Sequence, residues 1–159
     1  MPGDRIYYMK RGEGHNQYKL VMRQGLGGAE KVLVDPEAEA QRTGIPHAVN
    51  HFMPSWDGRW LAFGLSAGGS EDAWLVVMDL ASGKTVGSPI PRVHEDLVHW
   101  LPDSRSLTFN QLQPPQPGAP ATDAYKDSQV MWLRPGEPPK PVFGRAATPG
   151  LGLERLEVA

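Results

Sequence analysis

Apolar and polar positions alternate over short runs along this chain, and turn-forming residues separate the runs at nearly regular intervals. The clearest instance is Pro54-Ser55-Trp56-Asp57-Gly58-Arg59-Trp60-Leu61-Ala62-Phe63-Gly64, then a Gly/Ser turn, then Trp74-Leu75-Val76-Val77-Met78-Asp79-Leu80. Asp57-Gly58 suits a tight turn with positive φ, and the residues after it favour a pleated, half-buried surface, so the segment predicts a β-hairpin. Asp79-Leu80-Ala81-Ser82-Gly83-Lys84 supplies another reversal before a short strand through Thr85 and Val86.

The hairpin recurs. Arg5-Ile6-Tyr7-Tyr8-Met9, Arg59-Trp60-Leu61-Ala62-Phe63 and Arg105-Ser106-Leu107-Thr108-Phe109 align without gaps, each with an Asp within two residues before the Arg. Tyr7/Met9, Leu61/Phe63 and Leu107/Phe109 then fall at alternate positions, as one buried face of a period-two strand demands. The spacings between the three Arg, 54 and 46 residues, lie near the 40 to 50 or so of a four-stranded propeller blade. Partner strands follow at Tyr18 to Met22, Trp74 to Met78 and Ser128 to Leu133, and third strands at Lys31 to Val34, Thr85-Val86 and Pro141 to Phe143. One more short strand precedes the second and third copies, Ala48 to Phe52 and Asp96 to Trp100, with no counterpart before the first.

The pattern therefore predicts an all-β chain: an incomplete β-propeller over residues 1–144, with about three four-stranded antiparallel blades at 4–36, 47–90 and 96–144, the first lacking its first strand. Glu37 to Thr43 is expected to form about two helical turns after Asp35-Pro36. Gln113 to Asp123 reads as a mobile, Pro-rich loop, and 145–159 as an irregular tail or partial edge strand carrying Leu151, Leu153, Leu156 and Val158.

Composition agrees with many short elements, since 18 Gly and 16 Pro among 159 residues punctuate a chain that is still 40% apolar. A formal charge of −2 with interspersed signs leaves no electrostatic footprint for nucleic acid or an anionic membrane. With no cysteine there is neither disulfide nor thiolate site, which suits a reducing compartment. No run approaches the roughly 20 apolar residues of a membrane helix, and no signal-peptide core is present, so a cytoplasmic location is expected, or a periplasmic one if a leader was removed.

Several motifs have a chemical reading beside a structural one. Gly64-Leu65-Ser66-Ala67-Gly68 satisfies the G-x-S-x-G nucleophile elbow, but a β run follows where the elbow needs a helix, and the last His is His99. His94 and His99 approximate H-E-x-x-H with an interval one residue too long, and in a strand they lie on opposite faces. His47 and His51 have a permissible interval in a β context, and Gly25-Leu26-Gly27-Gly28 reads as a turn rather than a phosphate cradle. Trp74, Trp100 and Trp132 are expected in the core or between blades, and Asp57, Asp79 and Asp103 as turn carboxylates accepting backbone N–H bonds. On this reading no catalytic, cofactor-binding or metal-binding residue is assigned, and no cofactor is expected.

The run Ala62 to Glu71, the following Met78-Asp79-Leu80-Ala81-Ser82-Gly83-Lys84, Pro91-Arg92-Val93, Val98-His99-Trp100-Leu101-Pro102-Asp103 and Val32-Leu33-Val34-Asp35-Pro36 resemble, in order, the propeller domain of the prolyl oligopeptidase family of serine peptidases. The resemblance covers roughly Asp4 to Phe143. It implies a propeller that gates a central cavity and helps bind short proline-containing peptides, partnered by a hydrolase domain of the same or a longer chain that holds the Ser, Asp and His. Val77 falls where the family directs a side chain toward that cavity, with a smaller residue than the aromatic expected there. The alternative is a free-standing protein-binding propeller of the TolB-like kind. Because three blades do not close a ring, a homo-oligomer is expected, formed through the exposed Tyr7/Met9 side of the first blade and the blade ending at Phe143.

Overall fold

The computed structural model describes residues 4–70, 72–144 and 146–147. Apart from 146–147, the tail expected at 145–159, with Leu151, Leu153, Leu156 and Val158, lies outside the described residues. The chain is nearly all antiparallel β. Strands β1 (Arg5–Lys10), β2 (Lys19–Gln24) and β3 (Glu30–Val34) form a three-stranded sheet in the order β1-β2-β3. After helix α1 (Pro36–Thr43) come β4 (His47–Pro54), β5 (Trp60–Ala67), β6 (Ala73–Asp79), β7 (Lys84–Thr85), β8 (Ile90–Trp100), β9 (Leu107–Gln111), β10 (Gln129–Leu133) and β11 (Lys140–Phe143). These make one eight-stranded sheet, β11-β10-β9-β8-β6-β5-β4, with β7 on the side of β6.

That large sheet folds on itself at β8. The first part of β8 pairs with β6, Leu75 opposite Ile90 and Ala73 opposite Val93, and Val93 also lies opposite Gln111 of β9; the last part pairs with β9 alone, Trp100 opposite Leu107 and Val98 opposite Phe109. Residues 91–95, which fall between the second and third expected blades, lie inside one strand. Arg92 takes φ 59°, an uncommon conformation for a residue with a side chain, and its carbonyl and Nε bond Leu112 N (2.8 Å) and Leu112 O (3.2 Å). The strand thereby turns a corner while staying hydrogen-bonded.

Three layers result: the first sheet, a middle layer of β4 to β7, and a third layer of β9 to β11. Two apolar clusters hold them. Leu20, packed with Tyr7 and Met9, meets Leu61, Phe63, Val76 and Met78 between the first and middle layers. Ala62, Leu75 and Val77, on the other face of the middle layer, meet Leu107, Phe109, Met131 and Leu133 of the third. A strand with both faces covered reads as a continuous apolar run, which accounts for Leu61 to Phe63 and Leu75 to Met78.

The first copy of the repeat is turned relative to expectation. Tyr7 and Met9 lie opposite Met22 and Leu20 and face inward, toward Leu61 and Phe63, rather than forming an exposed end. Gly25 N donates to Asp4 O (2.7 Å) where Leu80 N donates to Arg59 O (2.9 Å), so Asp4, not Arg5, corresponds to Arg59. Ile6 and Tyr8 are thus the counterparts of Leu61 and Phe63, and they face outward. Because Ile6, Tyr7, Tyr8 and Met9 are all large, alternation alone does not choose between their two faces.

Helix α1 carries its signals locally. Asp35 Oδ1 accepts from Glu37 N (3.1 Å) and Ala38 N (3.4 Å), Pro36 opens the first turn, and Gly44 closes the helix at φ 76°. Lys19 pairs with Asp35 at 2.7 Å, and Glu37 accepts from Asn16 N (2.8 Å) and contacts His15, which fastens the helix to the first sheet. The Pro-rich loop is more tied than expected: it ends in a 3₁₀ helix, Ala121–Tyr125, and Gln113 N donates to Ala124 O (2.9 Å).

Candidate functional site

Two kinds of feature stand out: the rim where strand-connecting turns of successive layers meet, and the clefts between layers. At the rim, Ser55 to Trp60 forms a turn in which Ser55 Oγ donates to Asp57 Oδ1 (2.7 Å) and accepts from Trp60 N (2.9 Å). The turn at Leu101 to Ser106 repeats it, with Gly58 (φ 68°) and Ser104 (φ 55°) at the same left-handed position. The layers are bonded through these turns. Arg5 Nη1 donates to Gly58 O (2.5 Å), and Asp57 N donates to Ser104 Oγ (3.0 Å). Two indoles add to the joint: Trp100 Nε1 donates to Met53 O (2.8 Å), and Trp56 Nε1 to Trp100 O (3.2 Å). Together with His99 and Pro54 they line a small apolar recess of about 280 Å³.

The clefts lie between the layers. One of about 490 Å³ opens between the middle and third layers, bounded by Leu75, Val77, Ile90, Leu133 and the turns at Gly87 and Gly136. Another of about 470 Å³ lies under α1, against Phe63, Val76 and Met78. Val77, which the resemblance directs toward a cavity, is 4% exposed and shared between the core and the first cleft wall.

Ser66 does not sit on an elbow. It is 3% exposed inside β5, opposite Ala48, and the glycines with positive φ are Gly68 and Gly69 in the hairpin turn beyond it. His94 stands edge-on to Tyr125 with ring centres 6.0 Å apart, whereas His99 lies opposite Thr108 beside the indole recess, so the two do not converge. His47 Nδ1 bonds Ile45 O (2.7 Å), and the imidazole of His51 lies against Gly64. Among the described residues no three His, Cys, Asp or Glu side chains gather as metal ligands. Gly25 to Gly28 is the β2–β3 turn, with Gly25 at φ 63°.

Of the tryptophans, Trp100 is buried as expected, Trp60 packs on the inner core, and Trp132 is half-buried with Arg134 and Lys140 over its ring. Trp74 is a correction: opposite Leu65 and close to the turn between β5 and β6, it is 48% exposed. Trp56 is also exposed, and its bond to the third layer has no signal in the sequence beyond its place in the turn.

The three turn carboxylates do what their spacing predicts. Backbone and hydroxyl donation from Ser82 holds Asp79 below the usual carboxylate range, and the Arg105 and Ser106 N–H groups do the same for Asp103. Burial pushes the Asp57 carboxyl up, but the Ser55 hydroxyl, Arg59 N–H and Arg59 charge together bring it below its ordinary value. Carboxylates lowered on folding stabilise the native state above the unfolded value of about 3.9, and that contribution disappears as pH falls through the native values. An Asp57→Asn, Asp79→Asn, Asp103→Asn protein should therefore unfold at lower urea than the parent at pH 7, and the two should nearly coincide at pH 2. A gap that persists at pH 2 would refute the carboxylate account.

Comparison with known proteins gives a consistent result. The prolyl oligopeptidase N-terminal β-propeller domain matches residues 2–149. A Sinorhizobium fredii (strain NBRC 101917 / NGR234) protein described as "Uncharacterized peptidase y4qF" is 33% identical over 93 residues, 55% of this chain and 11% of that protein. A prolyl endopeptidase, one of two analysed for inter-domain dynamics in catalysis and specificity, superposes with a TM-score of 0.76 at 25% identity, over 92% of this chain and 22% of its own. Oligopeptidase B from Leishmania major shares the fold, with a TM-score of 0.70 at 15% identity over 89% of this chain and 20% of its own. The chain thus spans about a tenth to a fifth of the proteins it matches. From the repeated hairpins, the layered antiparallel sheets and the match over nearly the whole length, this chain belongs to the prolyl oligopeptidase family, as N-terminal β-propeller sequence.

Proposed function

We propose that this chain is the non-catalytic propeller portion of a serine endopeptidase of this family, where it gates access to the active site and helps bind short proline-containing peptides. A hydrolase domain of the same or a longer chain supplies the nucleophile, acid and base. The three layers then correspond to blades at about 4–36, 47–90 and 96–144. The observation that carries this reading is the position of Ser66: the one nucleophile-elbow motif is buried mid-strand, in a chain whose family match is to the propeller. A side chain enclosed in a β-ladder, in a strand that turns into another strand and not into a helix, cannot attack a peptide carbonyl.

Its bonded rim and two inter-layer cores suit a wall that keeps its shape while a neighbouring domain works. The purified chain should give no turnover of a chromogenic proline-containing peptide, and Ser66→Ala should leave that result unchanged. Turnover abolished by that substitution would reverse the assignment. For the gating role, the hydrolase domain should be assayed with and without its propeller on a short proline peptide and on the same sequence within a folded protein. Equal discrimination in both forms would remove the gate from the proposal.

A further inference from the structure

Helix α1 lies over a cleft that it does not fill. Pro36, Ala38 and Ala40 are its only apolar side chains, and of its eight residues Pro36 alone is buried. Ala38, Glu39 and Arg42 share one face at helical spacing and line the cleft of about 470 Å³, together with Phe63, Val76 and Met78 of the middle layer. That helix face carries no large apolar group, and Arg42 Nε is occupied by Glu39 (3.0 Å), so α1 closes the cleft without packing into it. A helix this short has little stability of its own. What holds it is ionic. The Asp35 carboxylate is divided: Oδ1 caps the helix, and Oδ2 takes Lys19 of β2 at 2.7 Å. Glu37 accepts from Asn16 N (2.8 Å) and contacts His15, both in the connection from β1 to β2. The side chains of these two pairs are 22 to 41% exposed, so water and salt weaken them. At the other end Gly44 stops the helix at φ 76°, and Pro46 O accepts from Gly68 N (2.8 Å), which fixes the chain to the middle layer.

We propose that α1 is a strap over this cleft, swinging out about Asp35 and Gly44 when its ties to Lys19 and His15 open, while the two layers beneath keep their contact. The layers do not need the helix, because Tyr7, Met9 and Leu20 pack directly on Leu61 and Phe63. Opening gives up two screened ion pairs and little buried apolar surface, so it is a local event that falls well short of global unfolding. Gly44 already occupies the left-handed region, where a residue without a side chain turns most freely. The cleft has the volume of a small-molecule site, and access to its apolar floor is then set by ionic strength.

The sequence contains no cysteine, so one introduced thiol reports access to one place. Val76→Cys puts it in the cleft lining (8% exposed), and Leu61→Cys puts it in the same seam away from the cleft (0% exposed). Labelled with a neutral maleimide, Val76→Cys should react faster as sodium chloride is raised to about 1 M, where charges are screened beyond about 3 Å. Adding Lys19→Met and Glu37→Ala to that protein should raise its low-salt rate about fivefold and remove most of the salt dependence, with unchanged far-ultraviolet circular dichroism. The Leu61→Cys rate should respond to neither change. A Val76→Cys rate indifferent to salt and to the two substitutions would overturn the strap. So would an equal rise at Leu61→Cys, because the whole seam then opens and not the helix alone. If the substituted protein loses its circular dichroism signal, the salt series on Val76→Cys and Leu61→Cys decides by itself.

Discussion

Trp100→Ala is expected to cost about 4 kcal/mol of stability, a large share of the 5 to 15 or so that holds a domain of this kind folded. The indole is 5% exposed within the cluster that joins the middle and third layers. Its Nε1 donates to Met53 O across that seam, and its own carbonyl accepts the Trp56 indole from the facing turn. Truncation opens a cavity and leaves the Met53 carbonyl short of a partner, which adds to the loss of packing. Trp100→Phe keeps most of the ring's contacts and removes only the donor, so its cost should be smaller, about 1 to 2 kcal/mol. Urea unfolding followed by circular dichroism separates the two. If the Ala protein unfolds at the same urea concentration as the Phe protein, the ring's packing is not what joins these layers.

Gly64→Ala is expected to destabilise by about 2 to 3 kcal/mol although it adds a single methyl group to a strand. A Cβ at this position would lie 2.4 Å from Cε1 and 2.6 Å from Nδ1 of His51, and 3.1 Å from the Cβ of Ala73. The imidazole therefore occupies the space that a side chain on β5 would need, and overpacking in a two-faced layer has nowhere to relax. The prediction is specific about its cause. In a His51→Ala background the same Gly64→Ala change should cost under about 1 kcal/mol, so a double-mutant cycle should return most of the penalty as coupling. A cost unchanged by removing the imidazole would place the strain elsewhere, in the backbone or against Ala73.

Repetition in the sequence carries most of what is legible of this fold. Three copies of an Arg-headed strand, each with a partner and a third strand, were enough to place β1, β5 and β9 and their neighbours, because alternation and turn chemistry act over a few residues. The Asp35-Pro36 start and Gly44 stop of α1 are local in the same way. What escaped depends on contacts between distant segments. The face taken by Ile6 to Met9 is decided by which side the middle layer occupies, and four large residues in succession fit either choice. Val77 was legible as an inward-facing residue but not as part of a cleft wall, since Gly87 and Gly136 approach from other turns. Trp74 sits in an apolar run like its buried neighbours, yet beside the turn between β5 and β6 it is exposed. The indole bonds of Trp56 and Trp100 each join residues 44 to 47 positions apart, beyond any local rule.

The corner in β8 has a mechanical consequence. Sliding or hinging between the middle and third layers would require breaking backbone hydrogen bonds on both edges of one eleven-residue strand, not merely displacing side chains at a greasy seam. The first sheet has no such shared strand. It is coupled to the rest through side-chain packing, the Arg5 bond to Gly58 and the linker through α1. Any breathing of this assembly is therefore concentrated at the one seam that the backbone does not stitch, and the other two layers move as a single plate.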